Sequence, residues 1–492
     1  MRFDDAGEAL MPLDQTHFKF VSDYLAEIIQ GNAAIFAGAG LSMPAGYVDW
    51  RGLLRPLARD LDLNIDLESD LVALAQFHVT DSGGHRHKLH TALLDALGKD
   101  AKPTRNHKLI ASLPIATIWT TNFDKLIEDS IRGSGKVVDV KSSVPQLATN
   151  RANRDVTIYK MHGDIDRPDQ AIVTKDDYEK YGREYEPFVN ALSGDLVNKT
   201  FLFMGFSFTD PNLEHVLSQI RLNFKRNLRQ HYAIFRTRSR LAGESDEDYA
   251  HHLARQRHTI ADLKRFNIKA VLVDEYCQIT EILEALVSGY LRRTVFISAS
   301  IANFDPWGPG AVSEFAQELA RRLIADGTRI ATGLGLGVGD AVFTGALREI
   351  MRQKIRIEDG LVLRPFPQTG DPTQLAALWQ DYRQEIISHA GIALFLFGNK
   401  TGPGGFVLAD GIRKEFDIAK DQDVALLPIG ATGSMARELA YESIADPARL
   451  LPTLDADGRT LLASIAHPGA AAKLIDLIDP IIALIRKLQG KA

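Results

Sequence analysis

Short apolar runs recur along the chain. Each ends in turn chemistry, and longer stretches with helical periodicity separate them. In the first part, AAIFAGAG, IATIWTTN, VTIYKMHGD, TFLFMGFS, HYAIFRT and IKAVLVD read as six buried strands, and ITEILEALVSGYLRR as a closing helix. From Thr294 the pattern begins again with TVFISAS, TRIATGLGLGVG, LVLRPFPQ, GIALFLFGN and VALLPIGATG. Between these five strands, VSEFAQELARRLIAD, AVFTGALREIMRQK, TQLAALWQDYRQEIISHA and GIRKEFDIAK carry helix patterns. The tail AAAKLIDLIDPIIALIRKL carries one more, in which Pro480 predicts a kink or break. Fully apolar strands alternating with helices predict parallel sheets covered on both faces. The expected fold class is α/β, with two parallel-sheet domains at residues 1–288 and 289–492.

Composition narrows the function classes. The 492 residues are 45% hydrophobic, enough apolar mass for more than one core. The formal net charge of -6 argues against a protein built around nucleic-acid electrostatics. Cys277 stands alone, so neither an internal disulfide nor a cysteine-rich zinc site can form within one chain. The opening MRFDDAGEALMPLDQ lacks a basic segment followed by an apolar core, and no run reaches the ~18 apolar residues of a membrane span. A cytoplasmic protein with neither nucleic acid nor membrane as partner is expected.

Open parallel sheets bind ligands beyond the carboxyl ends of their strands, and four strand ends here carry unusual residues. AAIF stops at Gly38-Ala39-Gly40-Leu41-Ser42, which suits main-chain N–H groups approaching a phosphate, or simply a tight turn. IATIW ends in Thr120-Thr121-Asn122-Phe123-Asp124, VTIYK in Met161-His162-Gly163-Asp164, and TFLFM in Gly205-Phe206-Ser207-Phe208-Thr209-Asp210. Singly, Asn122 or Asp124 could cap the helix that begins near Leu126, and His162 could be a core histidine. Together they read as one site.

The second half has its own glycine-rich strand end, Gly333-Leu334-Gly335-Leu336-Gly337-Val338-Gly339, which does not meet the GxGxxG fingerprint. Arg364, Lys400, the turn Gly402-Pro403-Gly404-Gly405 and Glu415 follow. Glycines with an arginine and a lysine at strand ends suit a phosphate-bearing ligand; the alternative is a loose turn with solvated basic side chains.

The first set resembles the sirtuin family, whose GAGxS, TxNxD, HG and GxS elements occur in this order over roughly residues 15–285. The resemblance implies a Rossmann-like NAD site. Ala37, Gly38, Gly40 and Ser42 would cradle the pyrophosphate, and Asn122 and Asp124 would face the nicotinamide ribose. His162 would be the base, with Gly205 and Ser207 near the adenine ribose. Sirtuin deacylases also carry a four-cysteine zinc module, which this chain cannot build, so no zinc is expected and deacylation is disfavoured. NAD hydrolysis to nicotinamide and ADP-ribose is the preferred reading, because nicotinamide leaves as a neutral pyridine and needs no strong acid. ADP-ribosyl transfer and non-catalytic nucleotide binding are the alternatives.

The second half is similar to the SLOG group of Rossmann-like nucleotide sensors. Related phosphoribohydrolases use a PGGxGT turn, but here Phe406-Val407 follow Gly404-Gly405, which favours sensing. The two halves in this order resemble the effector family of the Thoeris anti-phage system over essentially the whole chain. The stretches that carry this include IFAGAGLS, YKMHGDID, KDDYEKY, GFSFTDPNL, GLGLGVG, LRPFPQ and GATG. That resemblance implies a cyclic ADP-ribose isomer, made by a TIR-domain partner, as activator. Gly335, Gly337, Arg364, Lys400 and Glu415 would contact it. It also implies a homotetramer.

Overall fold

A computed structural model describes residues 13–98, 100–208, 210–224, 229–367, 371–402, 404–467 and 469–491. The stretch MRFDDAGEALMP, Thr209, Gln368 and Pro403 of the motifs above lie outside the described residues. The chain divides between Val287 and Ser288 into two compact units.

The first unit is built on seven parallel strands: β1 (Ala33–Ala37), β2 (Thr117–Thr120), β3 (Val138–Lys141), β4 (Val156–Lys160), β5 (Thr200–Met204), β6 (His231–Arg236) and β7 (Ile268–Val273). Their order across the sheet is β3-β4-β2-β1-β5-β6-β7. β1, β2 and β5 are buried along their whole length, as their unbroken apolar runs require. Phe36, Trp119, Phe201 and Phe203 are closed off from water, each worth about 1.5–3 kcal/mol of burial. β3 was not expected from the sequence. Its VDVK is too polar to read as buried, yet Lys141 and Asp139 lie inside as a pair 2.9 Å apart.

The second unit carries β8 (Thr294–Ser300), β9 (Arg329–Thr332), β10 (Leu361–Leu363), β11 (Ile392–Phe397) and β14 (Ala425–Pro428), in the order β10-β9-β8-β11-β14. Between β11 and β14 the antiparallel pair β12 (Asn399–Gly402) and β13 (Gly405–Leu408) forms a separate ribbon. NKTGPGGFVL reads as loop because β13 buries no side chain, so no apolar face appears in the pattern. Of the kink or break expected at Pro480, the structure shows a break, with a helix starting just before it. Pro480 sits in the first turn of the helix Ile478–Leu488, after the 3-10 turn Leu474–Leu477, where its missing N–H costs no intrahelical bond. Among the described residues, no helix is long and apolar enough to cross a membrane.

Two buried histidines make the first unit acid-sensitive. His107 Nδ1 lies 2.8 Å from Thr104 Oγ1, and His231 Nδ1 accepts the Phe201 N–H at 3.1 Å. Burial pushes both rings down to about 4. In the unfolded chain they titrate near 6.5. Between those values the unfolded state binds protons that the folded state refuses, so stability falls as pH drops through the window. The loss reaches about 3 kcal/mol per ring. Urea midpoints measured at roughly pH 7 and pH 4.5 should fall accordingly; equal midpoints would contradict it.

Candidate active site

The four motif-bearing strands β4, β2, β1 and β5 are neighbours in the sheet. From β1 the chain builds one side through β2, β3 and β4, then crosses to β5 and builds the other. The boundary between β1 and β5 is therefore the topological switch point, where a crevice opens at the carboxyl ends.

The glycines of the first motif are explained by this crossing. A Cβ on Gly38 would stand 2.4 Å from Gly205 O, and one on Gly40 would stand 2.9 Å from Gly205 Cα. Gly205 has a positive φ of 62 and would itself strike Leu41 N. The two turns thus pack backbone to backbone. Gly38 N–H donates to Met204 O and Gly40 N–H to Gly205 O, at 2.9 and 3.0 Å. Leu41 and Ser42 N–H are spent on Gly38 O and Ala39 O. These four donors are committed within the protein, and Gly38 and Gly40 let β1 and β5 meet.

Asn122 reaches across from the end of β2. Its Nδ2 donates to Gly38 O and to Ser42 Oγ, both at 3.1 Å. Its Oδ1 accepts from none of the described residues and remains available to a hydroxyl or a water. Asp124 Oδ1 accepts the Leu126 N–H at 3.0 Å, one residue ahead of the N-cap Lys125 of the helix Leu126–Gly133. His162 follows β4, buried to 4% exposure. Its Nε2 stands 3.1 Å from Asp210 Oδ2, at an angle short of a hydrogen bond. Tyr178 meets the imidazole edge to face, 5.5 Å between centroids.

Below these residues lies a buried ion cluster. Lys160 Nζ, the last side chain of β4, donates to Phe123 O, Asp124 O and Glu128 Oε1 at 3.0, 2.6 and 2.9 Å. It also pairs with Asp164 at 2.7 Å. Burial works against the ammonium charge, but Glu128 and Asp164 overcome it and hold the lysine above its ordinary value. One side chain thus ties the Asn122 loop to the His162 turn.

Gly40, Ser42, Asn122, Asp124, His162 and Gly205 share one cavity of about 1200 Å³, as does Ser207. That is at or above the roughly 300–1,000 Å³ of small-ligand sites. Ala37 is buried at the end of β1 below it. Several lining residues were not picked out from the sequence. Asp210 ends the motif that begins at Gly205, and nothing local in the sequence pairs it with His162. Arg236 ends β6 with its guanidinium 5.0 Å over the Tyr276 ring, and both line the cavity. An arginine at a strand end was the available signal.

In the second unit the loop after β9 packs on the end of β8. A Cβ on Gly335 would fall 1.7 Å from Ala299 O, and one on Gly337 2.3 Å from Ile301 O. Glu415, on the helix Asp410–Asp421, accepts from Ser298 Oγ at 2.5 Å and faces Arg383 Nε at 3.4 Å. Burial pushes the Glu415 carboxyl up, against the pull of Ser298 and Arg383. Arg383 also lies 5.2 Å over the Phe366 ring, which packs where a Cβ of Gly333 would be. Arg364 pairs with half-buried Glu385 at 3.2 Å and Lys400 with Asp410, and the partner of Glu415 is Arg383, a residue the sequence does not single out. Arg383 lies mid-helix, where a charge reads as a solvated face.

Comparison with known proteins now adds to this geometry. A model described as a SIR2-like domain matches residues 116–259, and one described as the Sir2- and TIR-associating SLOG family matches residues 278–488. The protein named NAD(+) hydrolase ThsA from Acinetobacter baumannii is 45% identical over 468 residues, covering 93% of this chain and 97% of that one. The chain belongs to the ThsA family. Its Bacillus cereus namesake is 41% identical over 96% of this chain and 98% of its own. Defense-associated sirtuin 2 of Bacillus subtilis is 24% identical over 44% of this chain, spanning 22% of its own length. The SIR2-like match takes in Asn122, Lys160, His162 and Asp210, and the ThsA relatives run through both units.

Proposed function

We propose that this member of the ThsA family is an NAD+ glycohydrolase. Residues 1–288 would carry the chemistry, and residues 289–492 would sense a nucleotide signal. The observation that supports it most is the convergence of His162 and Asn122 on one large cavity at the switch point. A pure binder needs no base there, and the ThsA relatives are named as NAD(+) hydrolases.

The chemistry follows from the groups present. A water oxygen bonds to C1′ of the nicotinamide ribose as the C1′–N bond breaks, and its electron pair leaves on neutral nicotinamide. His162 takes the water's proton. Asn122 Oδ1 accepts from the water or from a ribose hydroxyl and orients it. The Asp124 carboxylate, held by Leu126 N–H, faces the positive charge that develops on the sugar. The adenosine end would lie toward Gly205, Ser207 and Arg236.

Control would come from a cyclic ADP-ribose isomer supplied by a TIR-domain partner. Arg383, Glu415 and Lys400 would read its phosphates and hydroxyls beside the Gly335–Gly337 loop, with Arg364 at the rim. The consequence is NAD depletion in the cytoplasm during phage infection, by an enzyme acting as a homotetramer. A ligand activates only through its differential affinity for the active state. Nicotinamide release from NAD by the purified full-length protein, with and without a panel of such isomers, tests both halves. One isomer should raise release at least about tenfold, a coupling of ~1.4 kcal/mol. Release from NAD absent under every condition overturns the assignment.

A further inference from the structure

We propose that Asp210 is a positioning residue that holds the His162 ring in its Nε2–H tautomer, so that the bare Nδ1 is the atom that takes the proton. This rests on His162 being the base, as read above.

The geometry assigns the two ring nitrogens different surroundings. Nε2 is sealed from solvent, 3.1 Å from Asp210 Oδ2. Nδ1 bonds to none of the described residues and is not among the buried unpartnered atoms, while His162 lines the cavity. A carboxylate can only accept, so a neutral ring facing it carries its proton on Nε2. Nδ1 is then the free lone pair toward the cavity, able to receive a proton from a water attacking C1′.

Asp210 is itself held from several sides. Its Oδ1 accepts the Leu213 N–H at 3.0 Å at the start of the helix Pro211–Phe224, and the Tyr178 hydroxyl donates to Oδ2 at 3.4 Å. Burial would raise the carboxyl, but His162, Leu213 N–H and Tyr178 outweigh it and keep it below the usual carboxylate range. The turn that delivers it is unusual. Phe208 adopts a positive φ of 58, a conformation a bulky residue avoids. Its ring is wedged among Phe203, Phe206 and Phe235, at 4.9, 5.3 and 5.8 Å between centroids. That packing holds Phe208 in this conformation.

Asp210→Asn separates positioning from folding, because asparagine caps a helix as well as aspartate does. Its amide, however, can donate to Nε2 and draw the ring proton to Nδ1. In the full-length variant kcat should fall by about 100- to 10,000-fold, with KM for NAD unchanged within about threefold. Long-range ¹H–¹⁵N spectra of histidine-labelled protein, with His162 assigned by its loss in His162→Ala, should show Nε2–H in the wild type. In Asp210→Asn they should show Nδ1–H. A wild-type ring protonated on Nδ1 overturns the proposal whatever the variant does, and so does an Asp210→Asn enzyme with wild-type kcat. If His162→Ala keeps full turnover, the base assignment fails and this inference with it. If His162→Ala is inactive while Asp210→Asn is normal, only the inference fails.

Discussion

Lys160→Met should destabilise the first unit by about 3–5 kcal/mol, the cost of breaking a buried ion pair from one side. Methionine matches the stem but offers nothing to four oxygens. The carboxylates of Glu128 and Asp164 would stay buried without a counter-charge, and the carbonyls of Phe123 and Asp124 would lose their donor. Glu128→Gln in the same chain should recover part of the loss, because a neutral amide costs less to bury than an unpaired carboxylate. The urea midpoint of the first unfolding transition measures both. A Lys160→Met chain within about 1 kcal/mol of wild type would mean that the cluster is not holding the site together.

The second large effect is catalytic. His162→Ala should lower the rate of nicotinamide release by about 100- to 10,000-fold, the usual contribution of a positioned base. Asn122→Ala should cost activity as well, but through two routes. It removes the Oδ1 that the proposed mechanism uses, and it strips Gly38 O and Ser42 Oγ of a donor. That loss belongs to stability, at about 1–3 kcal/mol. Comparing melting and turnover across the two variants separates the roles. His162→Ala should be nearly as stable as wild type and inactive, whereas Asn122→Ala should be both weaker and inactive. Wild-type turnover in His162→Ala would end the assignment.

Much of the site was legible before any coordinates. Asn122 and His162 stand directly after strongly apolar strands, and the sheet delivers both to the same cavity. Their partners were not legible. One oxygen of Asp210 accepts the Leu213 N–H at the head of its helix, and the other faces His162, which follows a different strand. Lys160 is a charged residue at the end of a strand, and its side chain is fully buried. The glycine turn reads as a possible phosphate site, and nothing local in it shows that Gly40 N–H donates to Gly205 O in the neighbouring turn.

The sequence by itself determined the α/β class, the two runs of strands and the strand ends where chemistry collects. Apolar periodicity and turn residues are local properties, written within a few residues of one another. Only the tertiary structure decided that β1 lies against β5, so that glycines far apart in the chain exclude any side chain between them. It also decided that Lys160 answers Glu128 and Asp164, that Asp210 answers His162, and that Glu415 answers Arg383. Those pairings follow from strand order and from burial, which removes water as a competing partner and makes each buried charge find another. No local pattern carries that information.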